Sequence, residues 1–387
     1  MNQERKRILE MVQNGKLSAQ EAIILLEALE DELVEETSAV EKTDLSAKQD
    51  AEKEETKEKS KEKSEQQSYE KNEDQNDDSF YSQLESAGEK IFDFVNTALR
   101  KIKHIDLQFT QSVDIPHVFQ QTDAEFERID VDIANGPVRI TTWDQPEVRI
   151  ECQAKVYRSE DREDARNYFI DNTVFSIENG LCIFTTQSKW MRVETVVYVP
   201  KKQYKKIAVR IFNGGLTGER LNSDHLSVKT TNGKVELANL VGENFNLETV
   251  NGQIKLTNSN ANQLEAETVN GAVEISGTYQ NVELQSFNGN ITCTLPETGT
   301  NKIEAKAVTG NIHLNLPETA TIDGDVRSNL GSYKLDLEGI DVMHEKKEII
   351  QKQVKFKRTG TDERVIYLLA DTKTGSVHIR KAISPGE

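Results

Sequence analysis

Between Leu226 and Leu316 apolar and polar positions alternate strictly, and a glycine turn interrupts the alternation at a nearly fixed interval. The segments KTTNGKVEL, ETVNGQIKL, ETVNGAVEI, QSFNGNITC and KAVTGNIHL place turn glycines at Gly233, Gly252, Gly271, Gly289 and Gly310, spaced 19, 19, 18 and 21 residues apart. A period of two marks strands that turn one face of side chains inward. The inward positions are Leu226, Val228, Val235 and Leu237 in the first unit and Phe245, Leu247, Ile254 and Leu256 in the second. Two short strands cannot bury such a face alone, so successive units must stack on one elongated core. The pattern predicts a mainly β protein, a β-solenoid of short stacked strands with a repeat of about 19–21 residues. A series of Asn-Gly hairpins has the same local signature, and periodicity leaves that alternative open.

Asn232-Gly233, Asn251-Gly252, Asn270-Gly271 and Asn288-Gly289 form a turn ladder that is read as structural. Both residue types enter left-handed backbone conformations at low cost, which accounts for their recurrence at a corner. Fainter copies occur at Gly214, Gly331 and Gly375, and Asn135-Gly136 resembles a degenerate turn. Residues 106–222 are therefore expected to be earlier, more elaborated turns of the same domain, with a short surface helix around Ala165. Towards the C-terminus KKEIIQKQVKFKRTG is expected to be an edge strand guarded by lysines, and RVIYLLADTKTGSVHIRKA to supply the closing strands. The β domain is thus assigned to residues 106–383.

The pattern is different before residue 106. Residues 1–35 carry a helical period, with Ile8, Leu9, Met11 and Val12 on the first stripe and a stop at Asn14-Gly15. Ser18 and Glu21 then form a capping box ahead of Ala22–Leu26. Two helices of this length make no sizeable core, so the hairpin should dock or self-associate. Its second helix bears Glu21, Glu27, Glu30, Asp31 and Glu32 and no Lys or Arg, which argues against a nucleic-acid reader. Residues 36–79 contain no Gly or Pro and only one aromatic, Tyr69, and are read as a charged, disordered linker. In residues 80–105, Phe80, Leu84, Ile91, Val95 and Ile102 fall at helical spacing, and Phe92 and Leu99 widen the stripe. Acids come early there (Glu85, Glu89, Asp93) and bases late (Arg100, Lys101, Lys103), which suits the helix dipole. This amphipathic helix is expected to cap an open end of the β stack; the alternative is peripheral contact with an anionic membrane surface.

Composition adds two constraints. The net charge of −18 is concentrated, because residues 30–79 hold 19 acidic and 8 basic side chains, a net of −11. The charge thus belongs mostly to this one segment, the linker together with the residues just before it. No run of apolar residues reaches the ~18 needed for a transmembrane helix, and the charged start MNQERKRILEMV is unlike a secretory signal. These features predict a cytoplasmic protein, with the inner face of the membrane as the place of any peripheral contact. Cys152, Cys182 and Cys293 lie far apart in strand-like runs without metal spacing, and are expected to be small buried residues.

Stacking turns equivalent positions into columns, which allows a search for convergent chemistry. Four residues before each glycine the column reads Lys229, Glu248, Glu267, Gln285, Lys306; three after it reads Glu236, Lys255, Glu274, Thr292, His313. The alternating signs predict pairing along a solvated face, not an acidic catalytic cleft. The six histidines share no metal-ligand spacing, and no Walker, GxSxG, HExxH or GxGxxG motif occurs. No enzymatic activity, cofactor or metal is expected. Two residues before the glycines stand Thr231 and then Val250, Val269, Phe287 and Val308, an apolar ladder on the side that parity makes outward. It is the candidate interaction surface, either corner packing or a groove for an amphipathic peptide, a lipid headgroup region or the N-terminal hairpin.

The segment ERKRILEMVQNGKLSAQEAIILLEALE resembles the short SHOCT-like helical hairpin that opens the YvlB- and LiaX-like proteins of Gram-positive bacteria. The Asn-Gly units and the closing TKTGSVHIRK resemble the adhesin-like β-strand repeat domain of the same proteins. The resemblance implies a non-enzymatic protein of the envelope-stress and antimicrobial-peptide response. Its expected role is an interaction or sensor protein, with the hairpin binding a protein partner or a second copy. A peripheral membrane or cell-surface adhesin using residues 80–105 is the alternative.

Overall fold

The structure is a computed structural model, described here for residues 112–123 and 125–382. The hairpin expected at 1–35, the linker at 36–79 and the helix at 80–105, with Phe80, Leu84, Ile91, Phe92, Val95, Leu99 and Ile102, lie outside the described residues. The described part is mainly β: 23 strands and one helix, Arg162–Asp171. That helix lies where the sequence places it. Asp161 caps it by accepting from the Asp164 amide at 2.8 Å, and Ala165 and Phe169 are its buried positions.

The strands on either side of an Asn-Gly corner do not pair with each other. Asn222–Asn232 pairs in parallel with Gln203–Asn213 on one side and Val241–Asn251 on the other, so that Leu226 faces both Ile207 and Phe245. Past the corner, Val235–Ala238 pairs in parallel with Leu216–Glu219 and with the start of Ile254–Asn270. Each partner is one repeat away in sequence, which rules out hairpins for these units. Two parallel ladders result, joined at the Asn-Gly corners, and their inward faces share one apolar core. Leu226, Val228, Phe245 and Leu247 come from the first ladder and Val235, Leu237, Ile254 and Leu256 from the second. Burial of each such side chain contributes about 1.5–3 kcal/mol.

At the corner three columns run along the stack. A Cβ on Gly252 would sit 1.9 Å from the Gly233 carbonyl oxygen; on Gly271 and Gly289 the corresponding distances to the glycine before are 1.9 and 1.8 Å. The glycines are required because one backbone passes over the next without room for a methyl group. This corrects the sequence argument, since Gly233, Gly252, Gly271 and Gly289 do not have positive φ. Left-handed residues stand instead at the other corner, 19 residues apart: Arg220 (φ 59°), Asn239 (φ 57°) and Asn258 (φ 49°). Inside the glycine column, Thr249 and Thr268 donate hydroxyls to the Gly233 and Gly252 carbonyls at 3.2 and 3.0 Å. Outside it the asparagine amides form a chain. Asn232, Asn251 and Asn270 each donate Nδ2 to the Oδ1 of the asparagine one layer earlier, at 2.8, 3.0 and 2.9 Å, and Asn288 continues it at 3.5 Å. Every link points the same way, so the amides polarise one another.

Layer order departs from chain order at both ends. Val365–Thr372 pairs in parallel with Lys302–Thr309 on one side and Thr321–Ser328 on the other, while Val377–Lys381 pairs with Ile312–Leu316 and with Tyr333–Asp336. The last strands of the chain are therefore inserted between two earlier layers, which corrects the expectation from sequence that they close the stack. The glycine column agrees: Gly375 packs on the Gly310 carbonyl, and Gly331 packs on Gly375. At the other end Arg128–Asn135 lies between Leu181–Thr186 and Gln203–Asn213. The lysine-rich Lys352–Arg358 is no edge strand, because it pairs antiparallel with Thr321–Ser328 and Ile340–Lys347. Beyond it Ile340–Lys347 is paired on one side only among the described residues, and its charged residues and antiparallel pairing blunt this edge against further addition.

Two predictions follow from the corner and the insertion. Gly252→Ala should cost at least ~1–3 kcal/mol, because the obstructing atom is backbone and cannot rotate away, whereas Asn251→Ala should cost about 1 kcal/mol; urea denaturation of the two variants ranks them. A chain ending after residue 360 should lose the cooperative unfolding transition, because removing Val365–Lys381 takes the only ladder partner that Tyr333–Asp336 has among the described residues and splits the layers on either side. Trimming of one terminal repeat, with the rest of the transition intact, is the contrary result.

Candidate interaction face

The outward side of the first ladder collects the candidate ladder predicted from sequence. Thr249 faces Thr268 and Asn251 faces Asn270, which sets Val250 beside Val269. The pairings of Ser286 and Asn288 with their neighbours likewise set Phe287 between Val269 and Val308. Val250, Val269 and Val308 are half-buried and Phe287 is 42% exposed. The apolar ladder is thus continuous across four layers.

The charged column next to it differs from expectation. The sequence predicts a solvated face at Glu248, Glu267, Gln285 and Lys306, yet these residues are only 9, 8, 7 and 6% exposed, and Asp371 from the inserted strand is 6% exposed. Pairing along the column is present: Lys229 Nζ lies 2.7 Å from Glu248 Oε2. A second charged column, six residues before each glycine, places Glu265, Glu283 and Glu304 in register on adjacent strands. Testing that column in the sequence would have found it, because all three carboxylates are visible there. Asn246 donates to Glu265 at 3.4 Å, and Gln285 donates to Glu283 at 3.0 Å. Glu304 is held by Lys302 at 2.7 Å and by Lys306. Burial alone would raise the Glu304 carboxyl, but those two lysine hydrogen bonds outweigh it and keep its pKa below the ordinary value. The same contact raises Lys302.

Where the inserted strand joins this face there is a groove of about 630 Å³, lined in part by Lys302, Glu304, Asp325, Lys355, Tyr367 and Leu369. Tyr367 is 63% exposed. Sequence spacing carried no sign of this groove, because Tyr367 and Leu369 reach it only through the out-of-order insertion.

The remaining sequence candidates fall elsewhere. Lys255 and Glu274 approach to 3.9 Å on the second ladder, and Thr292, His313 and His378 are successive neighbours there. His313 and His378 have ring centroids 6.1 Å apart, and His378 Nε2 lies 2.7 Å from Asp336 Oδ2. Burial, then His378 and Arg380, lower the His313 pKa. Cys152, Cys182 and Cys293 are buried and separate, and burial pushes each thiol up to about 12. No group of three metal-ligating side chains occurs among the described residues, and none of their helices is long and apolar enough to cross a membrane.

Residues 126–366, nearly all of the layered structure, match the Toastrack DUF4097 family model. The chain belongs to the Toastrack DUF4097 family. Residues 3–33 match a SHOCT-like domain, as the N-terminal segment suggests. Uncharacterized protein YvlB of Bacillus subtilis (strain 168) is 39% identical to this Toastrack chain over 382 residues, covering 98% of this chain and 99% of the relative. Solved structures similar to it include a candidate adhesin from Bacteroides fragilis, 14% identical over 68% of this chain and 97% of that one, with TM-score 0.35. Another, from Parabacteroides merdae, is 10% identical over 69% and 96% with TM-score 0.36.

Two measurements check the chemistry of this Toastrack domain. Native protein should leave all three cysteines unmodified by a thiol reagent at pH 8, with all three reacting after denaturation. His313 protonates in the unfolded chain near the ordinary 6.5 but at lower pH when folded, so its stabilising contribution is present above 6.5 and is lost as pH falls below it. The loss of stability between pH 7.5 and 5.5, from urea midpoints, should accordingly be smaller in His313→Gln than in the parent protein.

Proposed function

We propose that this protein is a non-enzymatic interaction or sensor protein: a rigid β-solenoid platform bearing a tethered helical hairpin that docks a protein partner or a second copy. The observation that carries this reading is the continuous outward face, in which an apolar ladder runs beside buried, paired charges over successive layers. A flat array of this kind suits recognition of an extended or helical surface better than it suits chemistry on a small molecule. The carboxylates at Glu265 and Glu283 accept hydrogen bonds from side-chain amides and Glu304 accepts from lysines, so each is committed to a neighbour. The charged linker of residues 36–79 lets the hairpin search a few nanometres around the platform. Resemblance to the envelope-stress proteins supports a role in reporting damage to the cell envelope, with the platform on the cytoplasmic side.

Deleting residues 1–35 tests the reading. The deletion should abolish self-association in sedimentation velocity, or partner capture by the hairpin, and leave the unfolding midpoint of the β stack unchanged. Unchanged association and capture would remove the docking role. Flotation with anionic vesicles separates the peripheral-membrane alternative. Binding by the full chain that disappears in Phe92→Glu would favour that alternative, and no binding at low salt leaves the interaction reading in place.

A further inference from the structure

We propose that Asn179-Gly180 is a site of spontaneous covalent modification, where the asparagine closes to a succinimide and opens to aspartate or isoaspartate. The corner columns keep the other described Asn-Gly pairs from the same reaction. This goes beyond the interaction role and does not rest on it. The chain has eight Asn-Gly pairs. Seven lie in the described residues, and Asn14-Gly15 lies outside them. The pair is suited to this chemistry because glycine has no side chain to hinder attack by its own amide nitrogen on the preceding carboxamide. The step balances without any oxidant or reductant. Gly180 N gives its proton to solvent base and bonds to Asn179 Cγ, and Nδ2 leaves as ammonia. Water then adds to one of the two ring carbonyls, and the ring opens to a carboxylate on a normal or a β-linked backbone.

Exposure does not separate the seven, since Asn213, Asn232, Asn251, Asn270 and Asn288 are exposed as Asn179 is. Hydrogen bonding does. At the corners the nitrogen that would attack is already donating. The Gly136, Gly214, Gly233, Gly252 and Gly271 amides each donate to the carbonyl of the asparagine one layer on, at 2.8 to 3.0 Å, and Gly289 donates to Thr309 at 3.0 Å. The carboxamides are held too, in the chain that starts where Asn135 Oδ1 accepts from Asn213 at 2.9 Å and runs to Asn288. Attack there requires breaking both sets of bonds inside a column. Asn179-Gly180 is instead the two-residue turn between the antiparallel strands Thr173–Glu178 and Leu181–Thr186, with φ of 51° and 72°. Among the described residues neither the Gly180 N–H nor the Asn179 carboxamide has a hydrogen-bond partner. The Asn179 main-chain carbonyl does have one, because Arg128 Nη2 donates to it at 2.9 Å. That oxygen belongs to the peptide bond whose nitrogen is the nucleophile. When Gly180 N loses its proton, peptide resonance spreads the negative charge onto this oxygen, and the guanidinium stabilises it there. Arg128 thus assists the reaction at the one described pair that no column protects.

Peptide mapping by mass spectrometry, after incubation of the native full-length protein at pH 8.5, tests this site. Aspartate and isoaspartate should accumulate at Asn179 at least roughly tenfold faster than at Asn213, Asn232, Asn251, Asn270 or Asn288. In concentrated urea the same six should react within about threefold of one another, because turn and columns are both gone. Arg128→Ala should slow the native rate at Asn179 by at least about threefold and leave its rate in urea unchanged. Arg128→Lys, which keeps a positive charge, should recover part of that loss. A native rate at Asn179 no faster than in the columns would overturn the proposal. So would an excess at Asn179 that persists in urea, since neighbouring sequence and not the fold would then set it. Modification of Arg128→Ala as fast as the parent would overturn the role of the guanidinium. Urea midpoints establish that both variants remain folded.

Discussion

The closeness of one backbone to the next at the glycine corner is the constraint on which the rest of this structure depends. A carbonyl oxygen lies within about 2 Å of where each glycine's Cβ would be, so the two ladders can be joined only where a side chain is missing. The hydroxyl column inside and the amide column outside then satisfy polar groups that the tight corner would otherwise strand. Each layer thereby inherits its register from the one before. A shift of one residue would turn every inward leucine and valine outward and bring a side chain into the glycine column.

That repeated corner also explains how the chain can depart from simple succession. Any segment carrying a glycine with a hydroxyl three residues before it fits the next layer, wherever it occurs in sequence. Thr372 and Gly375 satisfy this, as do Ser328 and Gly331: the two hydroxyls donate to the carbonyls of Gly310 and Gly375 at 2.8 Å each. The final strands therefore insert between layers laid down earlier, and the antiparallel strand pairs beyond them shield the end. Interleaving makes the terminal layers depend on distant sequence, which opposes fraying from the end and adds non-local contacts that slow folding.

A rigid inner frame leaves the outer side chains free to vary. On the first ladder they have become a strip of apolar and mutually paired charged groups, part of it buried. Burial of that kind carries a desolvation cost, which the ion pairs and amide hydrogen bonds offset. The strip belongs to a protein of the Toastrack family that carries a SHOCT-like segment at residues 3–33.

The repeat, the inward columns and the positions of the asparagine-glycine corners were legible in the sequence because a two-residue alternation interrupted at a nearly fixed interval marks them. Val250, Val269, Phe287 and Val308 could be placed on one outward line for the same reason. Local pattern could not decide between hairpins and one-repeat parallel pairing, since both present the same alternation; the ladder register decides it. Nor could it show why glycine is needed, because the obstructing atom belongs to a neighbouring layer. The insertion of Val365–Lys381, the groove at Tyr367 and the burial of Glu248 and Lys306 likewise arise from contacts between residues far apart in the chain, and these only the tertiary structure decides.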